Sequence, residues 1–271
     1  MNPEGLDDLL IPYVLTTKQN LPYLDLDLDV GTEVETLLIE DEEHSEFGYL
    51  LTRSNHQAFG GLDSMGMPMW VMLDCGILPS AVVGFMLDVD DAPDHILDKL
   101  EIDDDYEGYV PISEYCGCPT VEEGTVSGFS LHSHLPGQGI ATRTKALAMA
   151  IYGARKQIGV TQFYNPAIRV HVRFGAMKIL LHRPPVHTEP EDSFVYKLRL
   201  PPRKTLLNMA RGADVFGHRD LPEGVRWEFD PDNEMMQGRL ARHLREEGEA
   251  WLIPPGWRAT DDGCELHIVL G

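Results

Sequence analysis

Residues 124–158 read GTVSGFSLHSHLPGQGIATRTKALAMAIYGARKQI, and the succession of strand, glycine loop and helix within them decides the architecture. Val126, Phe129 and Leu131 stand among Thr and Ser over 125–133, a β-type composition that stops at Pro136-Gly137. From Ile140 onward, Ile140, Leu147, Ile151 and Ile158 recur at helical intervals with Arg143, Lys145, Arg155 and Lys156 between them, so a helix is expected to open directly out of the loop. The first turn of such a helix has no intrahelical acceptors for its N–H groups. Gly139 and Ala141 let a ligand approach that backbone, which makes the loop a candidate anion site.

Beyond the helix come GVTQFYN (159–165), a short β-type run, and PAIRVHVRFGA (166–176), helical in period and ending in glycine. Over about 125–200 the chain resembles the GNAT superfamily of acyl-CoA-dependent N-acetyltransferases. That family has a pyrophosphate loop of the form Q/R-x-x-G-x-G/A and a following helix like A-I-x-x-Y-x-x-x-G-F. The matching segments here are Pro136-Gly137-Gln138-Gly139-Ile140-Ala141 and Ala167-Ile168-Arg169-Val170-His171-Val172-Arg173-Phe174-Gly175-Ala176. Pro136 stands where the family has Gln or Arg, His171 where it commonly has a tyrosine that protonates the departing thiolate, and Asn165 one residue closer to that position than usual.

The resemblance implies an α/β fold with a mixed, mostly antiparallel central sheet flanked by helices. Acetyl-CoA is the implied cosubstrate and a small or cationic amine the implied acceptor. Phe129, Ser130 and Leu131 would pair with the pantetheine amides. The backbone of Gly137, Gln138, Gly139, Ile140, Ala141 and Thr142 would hold the pyrophosphate, with Arg143 or Lys145 reaching an outer phosphate and Asn165 touching the pantetheine arm. His171 would donate a proton to the thiolate. His132 and His134, two apart and on one strand face, are candidates for the base; an acid near Asp88 or Glu122 acting through water is another. The rival reading is a GNAT-like module without catalysis that binds acyl-CoA or a partner protein.

The formal charge of −22 is unevenly spread. Residues 1–124 carry 28 Asp and Glu against Lys18, Arg53 and Lys99, a balance of −25, whereas 125–271 come to +3. Such polarity disfavours nucleic acid and suits a cationic acceptor or a solvated acidic surface. There is no basic start followed by an apolar run and no apolar stretch of 18 residues, so a cytoplasmic protein that does not enter membranes is expected, and a homodimer is compatible with this reading. Four cysteines are too few and too unevenly placed for a disulfide framework. Cys116-Gly-Cys118 with His132 and His134 has the ligand types for zinc, but one residue between the cysteines is too short for a finger-type site, and no metal is expected.

Along the chain three parts are expected: an N-terminal segment 1–33, a GNAT-like domain 34–200 and a small α+β extension 203–271. PYLDLDLDV (22–30) alternates as a one-sided strand. Residues 34–52 and 69–87 hold strand-length apolar runs, the second broken at Leu78-Pro79-Ser80, with loop material at 60–68 between them. Acidic 88–108 leaves room for a short helix around 94–100. Residues 177–200 read as a hairpin, 224–230 as a strand, 233–247 as a helix, and the last twenty as a hairpin turning at Asp261-Asp262-Gly263.

Overall fold

The structure, a computed structural model, describes residues 5–31, 33–59, 81–185, 192–217, 221–246, 248–261 and 263–271. It is an α/β fold whose strands pair in both senses, and it divides into two compact units that interleave along the chain. The first comprises residues 1–123, 128–153 and 206–213; the second, residues 124–127, 154–205 and 214–271. The units therefore do not follow the expected boundaries near 33 and 200.

In the first unit a short helix α1 (Leu6–Leu9) leads into β1 (Ile11–Thr16), which pairs in parallel with β2 (Glu35–Leu38) and antiparallel with β3 (Ala81–Asp88); β3 pairs antiparallel with β4 (Tyr109–Pro119). Next to β4 lies β5 (Thr125–Ser133), whose first residues belong to the second unit. β3 is an almost unbroken apolar run, AVVGFML, because helices cover both of its faces. Neighbouring residues of β4 show which helices. The Ser113 hydroxyl lies 2.6 Å from the Thr144 hydroxyl of α4 (Ile140–Ile151), whereas Glu114 takes a 2.7 Å hydrogen bond from Asn55 of α2 (Ser45–Phe59). Successive strand residues point to opposite faces, so α2 and α4 lie on opposite sides of the sheet.

On the α2 side, Tyr13, Leu15, Leu37, Phe47, Leu51, Val82, Met86 and Cys116 form one apolar cluster. Tyr13 passes over Gly84 to donate its hydroxyl to the Ser113 carbonyl at 3.0 Å, and its ring meets Phe47 edge-on at 5.0 Å. On the other side residues 146–150 of α4, ALAMA, are buried, and Gly153 with φ of +57° turns the chain out of the helix.

Three expectations are corrected. Residues 24–30 are not a strand: Leu28 N bonds Leu26 O at 2.9 Å and Val30 N bonds Leu28 O at 3.1 Å, so consecutive three-residue turns reproduce the period of two. The expected sidedness survives, with Leu28 buried and the three aspartates exposed. Residues 45–59, part of which looked extended, form α2, since Phe47, Leu50, Leu51 and Ser54 fall on one helical face. The helix from Ile140 ends at Ile151 rather than reaching Ile158, which lies in a strand. The short helix expected near 94–100 is α3 (Asp94–Leu100), while the strand and loop readings of 60–80 lie outside the described residues.

In the second unit, β6 (Lys156–Gln162) runs parallel to Thr125–Ser127 and antiparallel to β8 (Ser193–Arg199), which makes the expected hairpin with β7 (Met177–His182). The short helix α5 (Ile168–His171) precedes β7. β10 (Ala250–Thr260) pairs with β7 on one side and β11 (Gly263–Leu270) on the other, and β11 pairs with β9 (Val225–Phe229). The C-terminal strands thus extend the hairpin of the same unit. The ring of Phe163 packs 4.7 Å from that of Phe194 and 5.1 Å from that of Phe229. Helix α7 (Glu234–Arg245) is capped by Asn233, whose side chain accepts from Met235 N and Met236 N, while α6 (Arg203–Ala210) passes from the second unit into the first. Among the described residues no helix is long and apolar enough to cross a membrane.

The Tyr13–Gly84 crossing yields a prediction. A Cβ at residue 84 would stand 1.9 Å from Ser113 O and 2.7 Å from the Tyr13 ring. Gly84→Ala should therefore lower the unfolding free energy by at least about 2 kcal/mol, read from urea denaturation.

Candidate functional site

Within the first unit, β5, the loop after it and α4 form a continuous run, and two sets of groups converge along it. The loop supplies the first. Residues 136–139 are exposed, Gly137 and Gly139 take φ of +79° and +74°, and a Cβ on either would meet no atom within 4 Å. Gly139 is the N-cap of α4, with no side-chain cap. Thr142 N already bonds Gly139 O at 3.0 Å, which withdraws that amide from the expected set. Among the described residues no backbone acceptor takes the amides of Gly137, Gln138, Gly139, Ile140 or Ala141.

The two basic side chains expected to assist the loop point elsewhere. Arg143 is buried, donating from Nε to Ala210 O at 3.1 Å with its guanidinium 5.0 Å from the centre of the Phe85 ring. Lys145 is wholly buried, and burial holds its ammonium well below the usual lysine range. The cationic expectation for Arg143 and Lys145 is thereby corrected; backbone is what the loop offers an anion.

The second set is a polar cluster set into the apolar face that α2 covers. Ser130 of β5 has φ of +60°, a left-handed conformation that kinks the strand just before its histidines. Beyond the kink, His132 and His134 point to one side, as expected, with ring centroids 5.3 Å apart. Between them stands Ser54 of α2, fully buried, its Oγ 2.8 Å from Nε2 of each. Behind His132 lies Glu114 of β4, also fully buried, with Oε1 3.6 Å from His132 Nδ1. Oε1 accepts from Asn55 Nδ2 at 2.7 Å and from Ser130 Oγ at 3.1 Å, and Asn55 Nδ2 also reaches Ser130 Oγ. Phe59 closes the far side of His132, edge-on at 5.5 Å, and on the exposed side Lys99 of α3 brings Nζ to 3.4 Å from His134 Nδ1.

Burial governs the protonation of this cluster. It raises the Glu114 carboxyl to about 8, against the hydrogen bonds from Asn55 and Ser130 that favour the anion. It lowers His132 to about 3, assisted by the neighbouring charges of His134 and Lys99 and opposed by the Ser130 backbone; His134 falls to about 4 through burial, then Lys99 and His95. At neutral pH both imidazoles are therefore neutral, each with one bare nitrogen that can accept a proton.

Glu114, Ser54 and Asn55 were missed by sequence reasoning. Glu114 sits in a run, VPISEYC, whose alternation could have marked it as inward-facing, while Ser54 and Asn55 became visible only once α2 was recognised as a helix. Asp88 instead caps the turn after β3, accepting from Asp90 N at 3.1 Å, and Glu122 lies in an exposed loop. Phe129 and Leu131, the other strand residues expected to meet a ligand, flank Ser130 on β5.

Two expected residues belong to the second unit. His171 ends α5, buried, its ring 5.3 Å from that of Tyr196. Asn165 is engaged locally, accepting from Ala167 N at 2.9 Å and donating to Thr161 Oγ1 at 3.2 Å. Among the described residues no group of three or more His, Cys, Asp and Glu is arranged to hold a metal ion.

The shifted groups make stability depend on pH in opposite directions. As pH rises from 4.5 to about 8 the unfolded chain gives up the Glu114 proton while the folded chain keeps it, so stability falls. As pH falls below 6.5 the unfolded chain protonates His132 and His134 while the folded chain resists down to about 3 and 4, so stability falls again. Urea midpoints between pH 5 and 8.5 should show this cluster contributing an optimum near 6.5. Glu114→Gln should remove its share of the decline between 6.5 and 8 and leave the acid side in place.

Compared with known proteins, the chain matches no protein-family model, no curated protein and no solved structure.

Proposed function

We propose that this protein transfers an acyl group, acetyl in the first instance, from acyl-CoA to an amine. The observation that carries this reading is the run from β5 through the loop into α4. It places five amides that have no backbone acceptor among the described residues in the loop and first turn of a twelve-residue helix, and two neutral imidazoles on the strand leading into it. Unpaired N–H groups and the positive end of the helix dipole suit a pyrophosphate, and the left-handed glycines keep side chains out of its way. The GNAT resemblance gains support from the antiparallel run of β1, β3 and β4 ahead of β5, and from the β7–β8 hairpin at the end of the matched segment.

Acyl transfer to an amine also needs a proton acceptor, since only the neutral amine is nucleophilic. His134 is buried but turns Nδ1 toward the exposed Lys99, and it is the acceptor of choice. The acidity of residues 1–124 favours a cationic amine as the incoming partner. Catalysis in this reading is assigned to residues of the first unit.

Calorimetric titration with acetyl-CoA and free CoA tests the proposal, together with thiol release in the presence of an amine panel. Ala141→Asp should weaken CoA binding at least about tenfold by setting a carboxylate against the pyrophosphate, while the same charge in the first helical turn leaves the melting temperature unchanged or raised. Absence of CoA binding by the parent chain would overturn the reading; binding without thiol release would leave a module that recognises acyl-CoA.

A further inference from the structure

The cluster around Ser54 has a direction that follows from counting donors. An ammonium has three N–H donors and no lone pair, so Lys99 can only donate, and His134 Nδ1, 3.4 Å away, must be bare. Neutral His134 then carries its proton on Nε2, which donates to Ser54 Oγ at 2.8 Å. The Ser54 hydroxyl, with one proton and that bond already accepted, donates to His132 Nε2 at 2.8 Å. His132 Nε2 is therefore bare, and its proton sits on Nδ1, facing Glu114 Oε1 across 3.6 Å. Fixing one end of the chain fixes every tautomer in it.

The inner end is incomplete. His132 Nδ1 and Glu114 Oε2 are buried without a hydrogen-bond partner among the described residues, although such groups are ordinarily satisfied. A movement of about half an ångström would bring the His132–Glu114 pair to hydrogen-bond distance. The gap lies between an unpartnered ring nitrogen and the carboxyl oxygen that already accepts from Asn55 and Ser130, while the other oxygen of the same carboxyl stands free to take a proton.

We propose that His134, Ser54, His132 and Glu114 form a proton relay whose resting hydrogen bonds all point inward, in which the Lys99 ammonium stands where the ammonium of an aliphatic amine substrate docks and Glu114 is the terminal acceptor. This rests on the acyl-transfer reading for the identity of the amine, but not for the relay itself. The substrate N–H proton passes to His134 Nδ1, the His134 Nε2 proton to Ser54 Oγ, the Ser54 proton to His132 Nε2, and the His132 Nδ1 proton to the Glu114 carboxylate. An ammonium and a carboxylate become an amine and a carboxylic acid, and every hydrogen bond in the chain is reversed. The opposite sequence of hops returns the proton to water at His134 Nδ1 and resets the relay. An arylamine, already neutral at pH 7, has no need of the first hop, so the relay selects for aliphatic primary amines.

Glu114 accepts only as the carboxylate, and its surroundings set when that form exists. Tyr13 of β1 and Cys116 of β4 share its apolar pocket, Asn55 of α2 and Ser130 and His132 of β5 face it directly, and Lys99 and His95 of α3 face His134 at the outer end. Because burial holds the carboxyl near 8, turnover of aliphatic amines should climb as pH rises through 8.

Nitrogen-15 NMR of the histidine rings in the unliganded protein at pH 7 tests the relay without any substrate. The expected result is His134 as the Nε2–H tautomer and His132 as the Nδ1–H tautomer, with the His132 signature lost to a mixture in Ser54→Ala. His132 as Nε2–H, or His134 as Nδ1–H, in the parent protein would overturn the relay. The amine assignment is tested by kcat/KM with acetyl-CoA for an alkylamine and an arylamine. Glu114→Gln should reduce the alkylamine value at pH 8 by about 10²–10⁴-fold, with at least a tenfold smaller loss for the arylamine. Equal losses for the two amines would overturn the assignment of substrate class. Correct tautomers in a chain that binds no CoA would retain the relay while removing both the acyl-transfer reading and the amine assigned here.

Discussion

A carboxyl buried beside an apolar core is the constraint to which the first unit answers. Glu114 has no solvent contact, and the pocket around it includes Tyr13 and Cys116 of the apolar cluster beneath α2. Burying such a group is tolerable when it is neutral or surrounded by donors, and the structure supplies donors from two elements, Asn55 of α2 and Ser130 of β5. Both have structural correlates. Asn55 must lie on the inner face of α2, which fixes the rotation of that helix, and Ser130 takes a left-handed backbone conformation, which bends β5 where the histidines begin. The cluster and the kinked strand thus both answer to one buried carboxyl.

The alternation of β4 connects this cluster to the loop. Ser113 and Glu114 are adjacent, so one sheet separates the helix that begins at the glycine loop from the helix that carries Ser54. Each is held by polar contacts to the same strand, and Gly84 leaves the space through which Tyr13 reaches the Ser113 carbonyl. Any shift of β4 would therefore be felt on both faces, a consequence of close packing rather than of a special pathway.

Local signals carried much of the fold. Strand, loop and helix over 125–151 were legible because composition, glycine placement and helical period agreed there, and the β7–β8 and β10–β11 hairpins were legible from apolar runs flanking turn-forming residues. Two misreadings have a common physical origin, the ambiguity of short patterns. Alternating Leu and Asp over 24–30 fits three-residue turns as well as a strand, and the apolar pairs of α2 look extended beside the real strand at 35–38. In the site, His132 and His134 were legible as a pair on one strand face. Glu114 was not, since an acid among 28 in the first 124 residues gives no local sign that it is buried. Arg143 and Lys145 misled for the converse reason: basic residues near a phosphate-type loop suggest a ligand, but α4 is buried around most of its circumference and takes both inward.

The interleaving of the two units also sets a timetable for synthesis. Residues 206–213 belong to the first unit, and Ala210 among them supplies the carbonyl that receives Arg143. A nascent chain that has emerged through Gly153 holds every strand of the first unit but lacks that closing segment, and it acquires the segment only after residues 154–205 of the other unit have appeared. Arg143 therefore cannot meet the Ala210 carbonyl until the whole of 154–205 has been synthesised.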